Sequence, residues 1–251
     1  MRVGILGCGN IAEFIAAEYD AGDIVAFYGR HPERCQKLAA KVGATVCGSV
    51  EEFLESDFDY LVEAASPQAV REHLLPALRA GKHAIVLSVA AFADADFYQS
   101  VAREATKLER IVRIPSGALF GLDNLKVGQV SEIRLLKLRT TKPPASLGVE
   151  VRERTCLFRG GAFACSQAYP RNVNVAVAVA LAGGREPEME LWADPDAERI
   201  EHLLILEGAF GRAEIRVHNE PSPHNPRTSY LAALSILALL RGETEAVRIG
   251  T

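Results

Sequence analysis

The run Gly7-Cys8-Gly9-Asn10-Ile11-Ala12, of the form GxGxxA, constrains the fold of this chain more than any other feature. It follows the apolar segment RVGIL (2–6) and opens a stretch with helical spacing, IAEFIAAEYD (11–20). In a strand–turn–helix unit, the first glycine permits a tight turn and the second lets the backbone approach a pyrophosphate. We therefore predict that this turn binds a dinucleotide, with its phosphates at a helix N-terminus beside Gly7, Gly9, Asn10 and Ile11. The alternative is a turn with a purely structural role.

Apolar segments and segments with helical spacing alternate through residues 1–115. The apolar segments are continuous rather than alternating, which is typical of strands in a parallel sheet covered on both faces. Pro67 and Gly81 lie where a first-turn proline and a terminating glycine belong around a helix over 67–81. These features predict an α/β fold class, with an N-terminal Rossmann-type parallel sheet formed by residues 1–115. The segments are IVAFY (24–28), PERCQKLAAKV (32–42), TVC (45–47), YLVEAA (60–65), HAIVLSV (83–89), DADFYQSVAREATK (94–107) and RIVRI (110–114).

Beyond residue 115 the apolar residues alternate with polar ones, which indicates strands with one solvated face. The segments are EIRLLKLRTT (132–141), MELWAD (189–194), LLILEG (203–208) and AEIRVHN (213–219), with helices expected near 161–169 and 172–182. We predict a second α+β domain over 116–224, built on a mainly antiparallel sheet, for substrate binding and dimerisation. A last helix over 226–242, with Asn225 as N-cap and Pro226 at its first position, is expected to pack back on the first domain.

The predicted second strand ends in AFYGRHPER (26–34), where such units commonly carry a carboxylate that binds a ribose 2′-hydroxyl. Here Gly29 leaves space, and Arg30 and His31 can meet a 2′-phosphate. The interpretation is a site for NADP, alone or alongside NAD; the alternative is that Arg30 is a solvated loop residue.

A second turn, Ala64-Ala65-Ser66, follows the strand YLVEAA. Ligands of open α/β sheets bind beyond the carboxyl ends of the strands, so this turn is expected to line the cofactor cleft. The alternative is that its small side chains serve only helix–strand packing.

Composition excludes several classes of function. The net charge of −4 gives no general attraction to nucleic acid or to an anionic membrane, and no apolar run approaches the roughly 20 residues of a membrane span. The five cysteines are odd in number and lack a CxxC spacing. We therefore expect reduced thiols, a cytoplasmic protein and no metal site.

Seven segments spread over the chain form a distinctive series. They are VEAASPQAV (62–70), LSVAAFAD (87–94), IPSGALFGLD (114–123), TTKPP (140–144), YPRNVNVAVAVALAG (169–183), ADPDAERIEHLLILEGAFG (193–211) and NPRTSYLAALSILALLRG (225–242). In this order, the segments resemble the L-aspartate dehydrogenase family. The resemblance implies a homodimer that oxidises L-aspartate with NAD(P)+ to iminoaspartate, which gives oxaloacetate and ammonia or feeds nicotinamide cofactor synthesis.

The resemblance also assigns residues. His202 falls on the family's active-site histidine, and Ala118 and Asn174 fall on positions that contact the cofactor. Lys142, Arg171 and Asn172 are candidates for substrate binding. Three positions depart from the family pattern, since Ala90 and Phe120 replace glycines and Ile200 replaces an asparagine.

The chemistry favours His202 among the six histidines, because amine oxidation needs a group that manages a proton and histidine titrates near neutral pH. The alternative is that His202 has only a structural role, as a hydrogen-bonded polar residue on one face of the sheet. Two other functions remain open at this point. One is an NADP-linked reductase of the same architecture acting on an imine, a semialdehyde or a sugar, and the other is a non-catalytic NAD(P)-binding redox sensor.

Overall fold

The computed structural model describes residues 1–20, 23–169, 174–223, 225–243 and 245–247, and the side chains of 225–228 lie outside that description. The chain divides into two compact units. The first contains Met1–Pro115 together with Ile236–Ala246, and the second contains Ser116–Ser235.

The first unit is built on a parallel six-stranded sheet in the order β3-β2-β1-β4-β5-β6. The strand order reverses between β1 and β4, and this reversal is where ligands bind in doubly wound sheets. The predicted Rossmann-type sheet is therefore confirmed. The strands are β1 (Val3–Leu6), β2 (Ile24–Tyr28), β3 (Thr45–Val46), β4 (Tyr60–Glu63), β5 (His83–Val86) and β6 (Val112–Arg113).

Local capping explains where three helices of this unit begin. The side chains of Ser49, Ser66 and Asp94 accept hydrogen bonds from backbone N–H groups of the first turns of α3, α4 and α5. Gly81, at φ +81°, follows α4 as expected of a terminating glycine. The helices are α1 (Asn10–Glu18), α2 (Pro32–Val42), α3 (Val50–Glu55), α4 (Pro67–Arg79) and α5 (Ala95–Lys107).

The second unit is built on a five-stranded sheet in the order β11-β10-β7-β9-β8. Three of these four pairings are antiparallel, and β7 pairs with β9 in parallel. The strands are β7 (Ile133–Lys142), β8 (Thr155–Gly161), β9 (Glu188–Ala193), β10 (Ile200–Gly208) and β11 (Gly211–Asn219). The helices of this unit are α6 (Leu122–Leu125), α7 (Pro144–Leu147), α8 (Ala162–Ala168) and α9 (Asn174–Gly183). The last helix, α10 (Tyr230–Gly242), begins in the second unit, and its residues from Ile236 onward belong to the first.

The predicted start of the last helix at Pro226 is wrong. Asn225–Ser229 forms a short strand, β13, which pairs antiparallel with β12 (Pro221–Ser222), and α10 begins only at Tyr230. A proline that fits a first helical turn also fits a strand that has one unpaired edge, so the local signal could not separate the two.

The expectation of five reduced thiols is also wrong, because Cys8 and Cys35 form a disulfide. Cys8 lies in the turn after β1 and Cys35 in the first turn of α2, and the parallel pairing of β1 with β2 brings their Cα atoms to 5.2 Å. The sequence separation of 27 residues matches no local cysteine motif. Cys47, Cys156 and Cys165 are free thiols.

In the described part of the chain, no helix is long and apolar enough to cross a membrane. Within the same residues, no group of three or more His, Cys, Asp or Glu side chains could hold a metal ion.

Candidate functional site

The glycine turn between β1 and α1 is shaped for a ligand. Gly7 has φ +112°, and a Cβ there would lie 2.5 Å from the carbonyl oxygen of Ala64, so only glycine fits. A Cβ on Gly9 would meet no atom within 4 Å, so this backbone faces open space at the start of α1. No side chain of the described residues caps α1. Its first N–H groups and the positive end of its dipole therefore suit the phosphates of a dinucleotide.

A cavity of about 510 Å³ opens beside this turn, within the first unit. It is lined by the residues that follow three neighbouring strands of the parallel sheet, where such folds bind ligands. The predicted cofactor residues on its wall are Gly7, Gly9, Arg30, His31, Ala64, Ala65 and Ser66. Asn10 and Ile11 begin α1 next to it.

The end of β2 supplies the basic side of the cavity. Arg30, His31 and Arg34 are exposed and line it, while no carboxylate follows β2 directly. Gly29 is not on the wall. A Cβ there would lie 3.0 Å from the sulfur of Cys8, so the small residue makes room for the disulfide rather than for a phosphate.

The turn after β4 is held by a buried carboxylate that sequence reasoning missed. Glu63, 1% exposed, accepts hydrogen bonds from the N–H groups of Ala65, Leu87 and Ser88 and from the Ser88 hydroxyl, at 2.8–3.2 Å. Burial raises the pKa of Glu63, while these donors lower it. The carboxylate thereby ties the end of β4 to the end of β5 and fixes the Ala64–Ser66 turn. A lone acidic residue at the end of an apolar strand was the available signal.

The cavity wall also includes side chains from α4 that the sequence did not single out. Gln68 and Glu72 lie one helical turn apart, and the Gln68 amide donates to Glu72 Oε1 at 2.6 Å. His73 lines the cavity and packs edge-on against the ring of Tyr28. Their spacing after Pro67 places them on the helix face beside the glycine turn, but that spacing is common to many helices.

His202 lies in the second unit, on β10, and is almost fully buried. It pairs directly with Thr140 of β7 in the antiparallel register, and Thr140 Oγ1 lies 2.9 Å from His202 Nδ1. Thr140 therefore occupies Nδ1 and fixes the orientation of the ring, whichever of the two groups carries the shared proton. The predicted strand LLILEG starts at Leu203, whereas β10 starts three residues earlier, at Ile200, and therefore includes His202.

Electrostatics keeps this histidine neutral. Burial, followed by the charge of Lys142, lowers the pKa of His202 to about 3. Burial also lowers the pKa of Lys142 to about 8 and raises that of Cys165 to about 11. At neutral pH the imidazole of His202 and the thiol of Cys165 are therefore uncharged, and Lys142 is close to the pH at which it titrates.

The remaining predicted site residues, Ala118 and Asn174, differ in their contacts and exposure. The carbonyl of Ala118 accepts a hydrogen bond from Asn219 Nδ2 at 3.1 Å, and Asn174 is the exposed first residue of α9. Arg171 and Asn172 lie outside the described residues. The three residues that depart from the family pattern differ in exposure. Phe120 is 59% exposed, Ala90 is half-buried and Ile200 is buried.

Comparisons with known proteins cover both units. The family described as "Aspartate dehydrogenase, C-terminal" matches residues 123–243, and that described as "Homoserine dehydrogenase, NAD binding domain" matches residues 7–115. The L-aspartate dehydrogenase of Methanospirillum hungatei is 47% identical over 251 residues, with full coverage of both chains. That of Methanothermobacter thermautotrophicus is 38% identical, with 100% of this chain and 99% of the relative covered.

Solved structures give the same result. The crystal structure of aspartate dehydrogenase from Thermotoga maritima superposes with a TM-score of 0.82 at 29% identity, covering 100% of this chain and 99% of the other. A scyllo-inositol dehydrogenase from Lactobacillus casei reaches a TM-score of 0.56 at 13% identity, covering 100% of this chain and 91% of the other. At 13% identity, the similarity to the inositol dehydrogenase shows a shared fold only.

Proposed function

The chain belongs to the L-aspartate dehydrogenase family, and we propose that it oxidises L-aspartate with NAD(P)+ to iminoaspartate, which water converts to oxaloacetate and ammonia. The observation that carries this function is the 47% identity, over the full length of both chains, to an L-aspartate dehydrogenase. A sugar reductase of the same architecture is not favoured, because the inositol dehydrogenase is only 13% identical.

The first unit supplies the cofactor site of this proposal. The Gly7–Gly9 turn and the N-terminus of α1 would hold the pyrophosphate, and the Ala64–Ser66 turn, fixed by Glu63, would form the adjacent wall. When bound, the nicotinamide accepts the hydride from Cα of the substrate. The open side of Gly9 and the positive φ of Gly7 support this assignment.

The basic end of β2 supports NADP as a cofactor, alone or alongside NAD. Arg30, His31 and Arg34 all reach the cavity, and a guanidinium there can hydrogen-bond a 2′-phosphate. The support rests on these three side chains and not on space left by Gly29, which faces the disulfide.

The second unit supplies His202 as the proposed catalytic residue. Its Nδ1 faces Thr140, which leaves Nε2 as the nitrogen for the substrate. Because the ring is neutral, it can hydrogen-bond the amine or a carboxylate of the substrate without carrying a charge into the site. Lys142 is proposed to meet the substrate as well, and Ala118 and Asn174 the cofactor. Arg171 and Asn172 remain candidates for substrate binding on the resemblance alone.

The enzyme is expected to work as a homodimer in the cytoplasm, with a product that can enter nicotinamide cofactor synthesis. Size-exclusion chromatography with light scattering measures the oligomeric state directly. A monomer would contradict the dimer proposal without affecting the reaction.

A substrate panel tests the function. Purified enzyme is assayed for NAD+ and NADP+ reduction with L-aspartate, other amino acids, and polyols, with D-aspartate as the stereochemical control. We expect turnover with L-aspartate and at least 100-fold lower kcat/KM elsewhere. Polyols and amino acids with one carboxylate lose several hydrogen bonds in a site that binds two, and the opposite configuration of D-aspartate turns its Cα–H bond away from the hydride acceptor. Turnover with a polyol but not with aspartate would favour a reductase, and tight cofactor binding without any turnover would favour a sensor.

A further inference from the structure

Lys142 is a buried cation whose place in the second unit suggests a role of its own. It is the last residue of β7 and only 7% exposed. Lysine is rarely buried this deeply in a structural position, because removing an ammonium group from water is costly. A buried lysine that titrates near neutral pH is a common form of catalytic base.

The register of the sheet places Lys142 beside the proposed catalytic histidine. Thr140 lies directly opposite His202 in the pairing of β7 with β10. Side chains on a strand alternate between faces, so Lys142, two residues after Thr140, shares the face that carries Thr140 and His202. Diagonal neighbours of this kind lie within reach of long side chains.

Three elements pack titratable groups around this lysine. Cys165 faces it from α8, His202 from β10, and Asp194 follows β9 and donates its backbone N–H to the Lys142 carbonyl at 3.0 Å. The carboxylate of Asp194 forms an ion pair with Arg154 at 3.5 Å. Burial dominates the result and brings the pKa of Lys142 to about 8, whereas His202, at about 3, is too weak a base for an ammonium group.

We propose that Lys142, rather than His202, accepts the proton that the substrate's ammonium group must lose before its Cα–H bond breaks. This inference rests on the proposed function. The N–H bond of the ammonium breaks, its proton moves to the neutral Nζ of Lys142, and the nitrogen keeps the electron pair. That pair then forms the C=N bond as hydride leaves Cα for NAD(P)+, which yields iminium and NAD(P)H. His202 stays neutral and orients the amine through Nε2.

The rival role for Lys142 is a fixed cation for a substrate carboxylate. The two roles differ in what arginine can do. Lys142→Arg keeps a positive charge with five donors but cannot lose a proton near neutral pH, so it preserves carboxylate binding and abolishes proton transfer.

The experiment compares wild type, Lys142→Arg and Lys142→Ala at saturating L-aspartate. In wild type we expect kcat to rise with pH to an inflection near 8. Both variants should lose that inflection and about 10²–10⁴-fold in kcat, the usual contribution of a general base. Small alkylamines should restore Lys142→Ala in proportion to their basicity, which a structural role would not produce.

The control is Lys137→Ala, which removes a lysine from the same strand that forms an ion pair with Glu190 at 2.7 Å. It should keep the wild-type pH profile. Circular dichroism and thermal unfolding verify that each variant is folded. A Lys142→Arg enzyme with wild-type kcat, a retained inflection in Lys142→Ala, or a folded Lys142→Ala that amines do not rescue would each overturn the inference. Wild-type protein without aspartate turnover would instead overturn the proposed function.

Discussion

The hydroxyl of Thr140 lies 2.9 Å from Nδ1 of His202, although the two residues are 62 positions apart in the chain. Both are almost fully buried, so neither polar group can turn to water instead. A buried imidazole that lost this partner would keep an unsatisfied nitrogen, which costs more than an exposed hydrogen bond is worth.

Replacement of Thr140 by valine should therefore destabilise the protein and misalign the ring. We expect a loss of about 1–3 kcal/mol in the free energy of unfolding, together with a fall in kcat. Urea denaturation and steady-state kinetics measure the two effects. Thr140→Ser keeps the hydroxyl and should recover most of both. Equal behaviour of the valine and serine variants would show that the hydrogen bond is unimportant.

Replacement of His202 by alanine should abolish most turnover while the protein remains folded. We expect kcat with L-aspartate to fall by about 10²–10³-fold, since the loss of a positioned hydrogen-bonding group near the reacting nitrogen misaligns the substrate. Cofactor affinity should be unchanged, because the phosphate-binding turn lies in the other unit. His218→Ala, an exposed change on β11 in the same unit, provides a control histidine change. Normal turnover in a folded His202→Ala enzyme would end the proposed role.

The acid stability of the protein should depend on His202. Its folded pKa of about 3 lies below the ordinary value of 6.5, so between these values the unfolded chain binds a proton that the folded chain does not. Stability is therefore lost as the pH falls through this window, by about 2 kcal/mol from pH 7 to pH 5. Urea denaturation at both pH values should show a smaller loss for His202→Asn. An identical loss in the two proteins would contradict burial of the neutral ring.

Arg30 should set the preference between cofactors. Arg30→Ala removes a guanidinium that can bond a 2′-phosphate, and charge-assisted hydrogen bonds contribute about 1.5–3 kcal/mol. We expect kcat/KM for NADP+ to fall by roughly 10–100-fold, with little change for NAD+. Arg103→Ala, an exposed change on α5, serves as the control. If the ratio of kcat/KM for NADP+ to kcat/KM for NAD+ is unchanged, Arg30 does not bind the 2′-phosphate.

Glu63 should be sensitive even to an isosteric change. Both of its oxygens accept from donors, so the Glu63→Gln amide group would face a backbone N–H or the hydroxyl of Ser88. We expect a loss of about 2–3 kcal/mol in the free energy of unfolding and weaker NADH binding, because the turn at Ala65 loosens. Thermal unfolding and NADH titration measure these effects. A variant as stable as wild type would mean that this carboxyl is protonated and already donates one hydrogen bond.

The sequence determined the parallel unit because its signals are local. A glycine turn, continuous apolar strands and capping residues each act within a few positions. The same locality explains why the basic end of β2 could be assigned to the cavity. It also explains the error at Pro226, where two local structures accept the same residue.

Only the tertiary structure decided which distant side chains meet. The register between β7 and β10 places Thr140 and Lys142 on the face of His202, and a shift of one residue would have reversed that face. The same holds for Cys8 with Cys35 and for Glu63 with Ser88, which adjacent strands bring together. Burial, which arises only from the packed sheet and helices, then lowers the pKa values of His202 and Lys142 to different extents. Sequence identifies these residues, but packing decides which of them can exchange a proton.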